Sequence, residues 1–252
     1  GGPLKGVLSG TWLGHPVHPA LTDVPIGLFA GATLLDLLGG ERAADATDAM
    51  TVLGLAAVAP TALTGLSDWA DTVGPERRLG LVHALANVGG SSLLAAAVLS
   101  RRGGNRGAAH LFNLAGMGVI AVSGYLGGHL VFARGIGVDH TVFDEAPTDW
   151  TRVARDDEVA ENTPVMVSAA GYGVLLYRHS GVIHAIAARC THAGGPLQEG
   201  EVDDDLCVTC PWHGSRFRLA DGTVTRGPAT APAPAFEVRV VEGNVEARLR
   251  EG

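Results

Sequence analysis

Two short cysteine–histidine pairs carry the chemistry that this chain can do: Cys190-Thr191-His192 and Cys210-Pro211-Trp212-His213. The pattern is C-x-H, then 17 residues, then C-x-x-H, with glycine close behind each pair at Gly194, Gly195 and Gly214. Two thiolates and two imidazoles on neighbouring loops suit a two-iron two-sulfur cluster whose cysteines hold one iron and whose histidines hold the other. The alternative is a structural zinc site of two Cys and two His. Zinc normally draws its cysteines from one close pair and its histidines from another, whereas here each loop supplies one of each. That distribution favours iron and sulfur.

The elements that must position these loops are short strands. From Trp150 onward come β-type runs at Pro164–Ser168, Gly173–Arg178, Val182–Ala187 and Phe236–Val241, broken by Gly, Asp and Asn turns. Asp221-Gly222 and Gly243-Asn244 read as hairpin turns. The first hundred and forty residues or so are different: rich in Ala, Leu, Gly and Val, with charges in short islands. Over all 252 residues only 17% are charged and 46% hydrophobic, and the mean hydropathy is +0.22, a balance that points to membrane. The formal charge of −8 argues against nucleic acid.

Four apolar stretches run over 24–40, 50–67, 79–100 and 108–132. A span needs roughly 20 mostly apolar residues; the third and fourth qualify, and the first two are shorter and interrupted. Pro60 is expected to kink the second. Asp36 falls near the end of the first, where a charge costs less than at mid-bilayer. The expected architecture is an all-α four-helix transmembrane bundle over residues 1–134, a linker over 135–149 and an all-β domain over 150–252. No internal repeat stands out. Four spans put the N-terminus and the C-terminal domain on one side. Basic residues near the spans tie, four against four, so they do not fix sidedness. Three cysteines, two of them candidate ligands, leave no disulfide pair, and no export signal is evident; both favour the cytoplasmic side.

Histidine is expensive in a bilayer, so its placement is informative. His15 and His18 precede the first span, His83 opens the third, and His129 closes the fourth; all fall on the face that carries the C-terminal domain. His110 lies 19 residues before His129, about 28 Å along a helix, at the opposite surface. Gly124 and Gly128 beside His129, and Gly89-Gly90 below His83, give helices room to approach or leave space for a flat macrocycle. A b-type haem held by His83 and His129 follows as the expectation, with His15 and His18 as alternative ligands or as part of a metal or quinone site with Asp23 and Asp68. The plain alternative is interfacial anchoring. In His15-Pro16-Val17-His18-Pro19, the two prolines predict an extended entry with no helix before residue 20.

Cys-Thr-His-Ala-Gly-Gly-Pro-Leu (190–197) and Cys-Pro-Trp-His-Gly-Ser-Arg-Phe (210–217) resemble the cluster loops of the Rieske family; Gly-Pro-Ala (227–229) and the strand at 236–241 resemble the end of such a domain. The resemblance implies Cys190 and Cys210 on the inner iron and His192 and His213 on the exposed one; Cys207 fits no ligand position. Respiratory-complex members carry a bracing disulfide where this chain has Gly195 and Trp212, and a tyrosine where it has Phe217. Fewer donors to the sulfurs lower the potential within a range of roughly −150 to +300 mV, as in dioxygenase-type ferredoxins. The N-terminal part, over roughly 13–130, resembles a small four-helix membrane family marked by His-Pro-x-His-Pro, which implies no activity. The expected function is membrane-bound electron transfer between a quinone or b-type haem and a soluble redox partner. The alternatives are an anchored ferredoxin serving a separate oxygenase and a subunit of a larger respiratory or photosynthetic complex. No Ser, Cys or carboxylate constellation suggests hydrolysis, and no two-His-one-carboxylate iron site follows the cluster.

Overall fold

Long apolar helices joined by tight turns make the N-terminal half, in a computed structural model that describes residues 2–250. They are α2 (Val17–Gly39), α3 (Ala44–Ala70), α4 (Gly74–Arg102) and α5 (Arg106–Phe132), preceded by a short α1 (Pro3–Ser9). A 3-10 turn, Gly40–Ala43, joins α2 to α3, so the first apolar run spans Val17–Ala70, 54 residues, more than one crossing requires. His18 meets Thr61, and Phe29 lies where a Cβ on Gly54 would be. These contacts make α2 and α3 an antiparallel hairpin, each arm long enough for a crossing of its own. The runs Gly74–Arg102 and Arg106–Phe132 are also long and apolar enough to cross a membrane. Asn105 accepts a hydrogen bond from the Ala108 N–H and caps α5.

One expectation about proline fails here. α2 begins at Val17, not after residue 20, because Pro19 sits in its first turn, where no intrahelical N–H bond is lost. α3 is continuous through Pro60; the Thr61 hydroxyl donates to Ala57 O at 2.9 Å and supplies a local bond beside the missing one.

The expectation of no repeat also fails. α3 and α5 are both 27 residues long, and a shift of 62 positions lays Gly54 on Gly116, Thr61 on Ser123 and Gly65 on Gly127. A shift of 65 lays Val17-His18 of α2 on Val82-His83 of α4, and Asp36 on Arg101. Contacts repeat with the positions: a Cβ on Gly54 would meet Phe29 at 2.5 Å, and one on Gly116 would meet Leu94 at 2.9 Å. The helical unit is one hairpin built twice, with Phe29, Leu94 and Ile120 as its buried centre.

Among the described residues the second unit holds ten strands in three antiparallel sheets. β1 (Thr151–Arg155), β10 (Asn244–Leu249) and β9 (Phe236–Val241) form one; β2 (Val165–Ala169), β3 (Tyr172–His179) and β4 (Val182–Ala187) form another. β5 (Glu201–Val202), β6 (Cys207–Thr209), β7 (Arg216–Arg218) and β8 (Val224–Arg226) form the third. β3 divides two cores, because successive side chains on a strand point to opposite faces. Leu175 and Tyr177 enter the core that holds Cys190, Cys210 and Phe217, while Val174 and Leu176 enter the one lined by Phe236, Val245 and Ala247. Ser180-Gly181, between β3 and β4, and Glu242-Gly243, between β9 and β10, are two-residue turns with φ positive at both positions. The second turn lies one residue before the expected Gly243-Asn244.

The chain divides into Val17–Ile136 and, as the other unit, Gly1–Pro16 with Gly137–Gly252. Residues 2–16 thus pack with the β-rich unit, where the sequence had assigned them to the helical one. Thr11 Oγ1 donates to Ala229 O at 2.9 Å, and Gly227 approaches Gly6 so closely that a Cβ there would lie 3.2 Å from Gly6 Cα. The expected linker is partly tied down as well: His140 N–H donates to Thr191 O at 2.9 Å, and Leu249 N–H to Pro147 O at 2.7 Å.

Candidate metal centre

Two loops of the same design face each other. Cys190 N–H donates to Gly195 O and Gly194 N–H to Cys190 O, both at 2.8 Å; Cys210 N–H donates to Ser215 O at 2.8 Å and Gly214 N–H to Cys210 O at 3.0 Å. In each loop the glycine four residues after the cysteine has positive φ, +75° at Gly194 and +76° at Gly214, a conformation costly for any side chain. The glycines that follow each Cys–His pair are thus what lets both loops turn back on their cysteine.

The sulfurs face inward and the imidazoles outward. Cys190 and Cys210 are 1% and 2% exposed. His192 and His213 are half-buried and meet edge to face, ring centroids 5.0 Å apart. The two thiols are hydrogen-bonded to each other; that bond holds Cys210 down at about 6, and the same bond, followed by burial, pushes Cys190 up. Once deprotonated, two adjacent buried cysteines offer a metal a pair of thiolates. Among the described residues no three His, Cys, Asp or Glu side chains converge on a single ion. Two thiols on one side and two imidazoles on the other suit two irons with two protein ligands each.

A third segment closes over the pair. Ala229 N–H donates to Ser215 Oγ at 2.9 Å, its carbonyl accepts from Thr11, and Thr191 Oγ1 donates to Ala231 O at 2.8 Å. The bond from Thr11 was invisible in the sequence, since it joins positions 218 apart. Gly195 and Trp212 lie together: a Cβ on Gly195 would come 2.9 Å from Cys210 Sγ and 3.1 Å from the indole. All three cysteines are free thiols. Cys207 is buried, with its Sγ 3.7 Å from Asp205 O, in keeping with a packing role. Phe217 is fully buried in the same core as the two cysteines.

The membrane-half histidines separate. His15 lies outside the helical unit, exposed, its Nδ1 3.2 Å from Pro16 O. His83 Nδ1 lies 2.8 Å from Ser123 O, and its Nε2 accepts from Asn87 Nδ2 at 3.1 Å. On α5, Ser123 and Gly127 face His83, while His129, two residues beyond Gly127, is turned about 200° away. The expected His83–His129 pair is therefore not brought together. His18, on α2, sends Nδ1 to Thr61 O at 3.0 Å. The close approach of α4 and α5 is at Gly90 and Gly116, where a Cβ on either would lie 3.2 or 3.1 Å from the other's carbonyl oxygen; a Cβ on Gly124 would meet nothing within 4 Å. Those two helices leave no gap for a macrocycle there. His110, as expected, is at the other end, its Nδ1 3.0 Å from Asp36.

A family model described as Rieske [2Fe-2S] domain matches residues 149–238, and one described as Predicted membrane protein (DUF2231) matches residues 14–140. Ferredoxin CarAc of Metapseudomonas resinovorans is 34% identical over 97 residues, 38% of this chain and 90% of that protein. The anthranilate 1,2-dioxygenase ferredoxin subunit of Burkholderia cepacia is 29% identical over 101 residues, 40% of this chain and 93% of its own length. A solved structure, the ferredoxin of carbazole 1,9a-dioxygenase from Nocardioides aromaticivorans IC177, aligns at a TM-score of 0.38 with 27% identity, covering 40% of this chain and 98% of that one.

Proposed function

The chain belongs to the DUF2231 family of predicted membrane proteins and ends in a Rieske [2Fe-2S] domain, and from that premise we propose that it is a membrane-held one-electron carrier serving a soluble redox partner, in the manner of a ferredoxin feeding a separate oxygenase. In this reading Cys190 and Cys210 hold the inner iron, and His192 and His213 hold the outer one. The observation that carries it is the sorting of the donors: buried, mutually hydrogen-bonded thiols on one side, half-buried imidazoles 5.0 Å apart on the other. The likeness to dioxygenase ferredoxin subunits supports the choice of partner.

When bound, the cluster supplies a one-electron couple. The protein's part is positional. The paired backbone bonds of each loop fix the cysteines, Ser215, Thr11 and Thr191 hold the covering segment, and the half-buried His192 and His213 give a partner its shortest route. Trp212, 57% exposed and 6.5 Å from the His213 ring, offers an apolar contact at that edge. Without a hydroxyl at Phe217, the cluster potential belongs in the lower Rieske range. A Rieske domain at 150–252, on the cytoplasmic face, belongs to the same reading.

A second reading gives the membrane half a carrier of its own, a quinone or a b-type haem held by histidine, and makes the chain a relay, alone or within a larger electron-transfer complex. The matching anchorage of His18 and His83, each with Nδ1 on a backbone carbonyl of the neighbouring helix, favours it. Low-temperature EPR of the dithionite-reduced, detergent-purified chain, with iron and zinc analysis, tests the main reading. A Rieske-type signal with two non-haem irons per chain is expected, lost in Cys210→Ser. Stoichiometric zinc without that signal would overturn it.

A further inference from the structure

The duplicated hairpin places two histidines in equivalent positions. His18 of α2 and His83 of α4 correspond under the shift that relates those helices. Each sends Nδ1 to a backbone carbonyl on the other helix of its own hairpin, His18 to Thr61 O at 3.0 Å and His83 to Ser123 O at 2.8 Å, and those carbonyls correspond too. Each ring rests on a glycine four residues further on, where a Cβ would fall 2.7 Å (Gly65) or 3.1 Å (Gly127) from Cε1. A carbonyl only accepts, so Nδ1 bears the proton in both rings and Nε2 carries the lone pair. This is how a metal-ligating histidine is held: one ring nitrogen anchored on a carbonyl, the other presented to the metal.

The far end shows that the two hairpins are related by an approximate two-fold. Asp36 and Arg101 correspond, and they pair with each other at 2.9 Å. Asp48 and His110 also correspond; Asp48 pairs with Arg101 while His110 pairs with Asp36. Reciprocal contacts of this kind, in which i meets j and their counterparts meet in reverse, are the mark of two-fold symmetry. The same operation relates His18 to His83 across the seam between hairpins, and the two rings lie within electrostatic reach. That seam is the less closely packed junction: α2 lies along α3 and α4 along α5 far more extensively than either hairpin touches the other.

The donor count selects the ligand. Among the described residues no third His, Cys, Asp or Glu joins these two to hold a bare ion. A haem iron brings four nitrogens of its own and needs only two axial ligands, and facing helices of a bundle are where such ligands come from. We propose that His18 and His83 are the axial pair of a b-type haem seated between the two hairpins. Asn87 Nδ2, now donating to His83 Nε2, is the group the iron displaces. Its counterpart Thr22 donates instead to Pro19 O at 2.6 Å, so His18 Nε2 has no such competitor from that position.

This inference deepens the relay reading but has its own spectrum, separate from that of the cluster. The full chain, purified in mild detergent from haem-supplemented cells, should give sharp b-type bands in the reduced-minus-oxidised spectrum. It should also give a low-spin bis-imidazole EPR signal, at one haem per chain. His18→Ala and His83→Ala should each convert low-spin haem to high-spin, and imidazole added to the buffer should restore the low-spin form. His15→Ala and His129→Ala should leave the spectrum unchanged. Haem missing from the wild type overturns the proposal, as does low-spin haem surviving in either alanine variant or loss of the signal in His129→Ala. If an alanine variant does not purify, wild-type protein titrated with haemin decides by the same low-spin signal. The Rieske signal on the same samples keeps the two readings apart: cluster without haem sinks only this one, haem without cluster only the other.

Discussion

Removing the arginine at the far end of the helical unit should weaken the bundle by about 3 kcal/mol. The Arg101 side chain is 7% exposed and bridges Asp36, at 2.9 Å and 13% exposed, to Asp48. A buried pair that loses one member costs about 3–5 kcal/mol, because the other is left desolvated and unpaired. Arg101→Leu falls at the low end, since Asp36 keeps His110 at 3.0 Å and Asn113 at 3.2 Å, and Asp48 keeps the exposed Arg102 at 3.5 Å. Asp36→Leu leaves Arg101 its bond to Asp48 and should cost about 2 kcal/mol, the worth of hydrogen bonds to a charged group. The double variant puts two apolar chains in place of the pair and should cost less than the sum of the singles by about 1–3 kcal/mol. The assay is loss of helical circular dichroism as SDS is titrated into detergent-solubilised protein. An Arg101→Leu cost below about 1 kcal/mol, or strict additivity in the cycle, would refute the network and the two-fold relation built on it.

Phe217→Tyr places a hydroxyl in the core shared with Cys190 and Cys210; it should raise the cluster potential by about 30–60 mV, on a scale where 59 mV is one tenfold change for one electron, and an unchanged potential with an intact EPR signal would count against it. Gly222→Ala should destabilise the β-rich unit by about 2–3 kcal/mol in chemical denaturation, because φ is +72° there and a Cβ would strike the Ala233 carbonyl; a cost under about 0.5 kcal/mol would contradict that. Burial, then Asp144 and Asp139, push the Tyr172 hydroxyl up to about 12 from the usual 10. A raised value means stability present below pH 10 is lost as pH climbs toward 12. The wild type should therefore lose more melting temperature over that window than Tyr172→Phe, whose missing hydroxyl is buried and bonded to nothing in the wild type; equal losses would show that Tyr172 does not titrate.

The cluster loops were legible because their information is local. Ligand types, glycines and spacing all fall within 190–217, and the positive φ at Gly194 and Gly214 is what those glycines are for. Strand Val182–Ala187 was readable to the residue from its β-branched run. The duplication in the helices was hidden by its two different shifts, 65 for one helix and 62 for the other, and by substitutions such as Asp36 for Arg101 and Asp48 for His110. Only their contacts show those to be equivalent. Pro19 misled because helix-breaking depends on position in the helix, which a residue-by-residue reading does not weigh. The expectation of His83 with His129 rested on equal depth along two helices; depth says nothing of azimuth, and azimuth set them apart.

The bond from Thr11 to Ala229 has a consequence for biosynthesis. Translation delivers Thr11 before all four long helices and its acceptor Ala229 after them. Thr11 has no such acceptor until residue 229 leaves the ribosome. Throughout that interval the cleft between Cys190 and Cys210 has its lid segment unfastened on one side, when an iron–sulfur donor needs access. Docking of Thr11 on Ala229 therefore comes after both cluster loops have been made, and it can follow metallation.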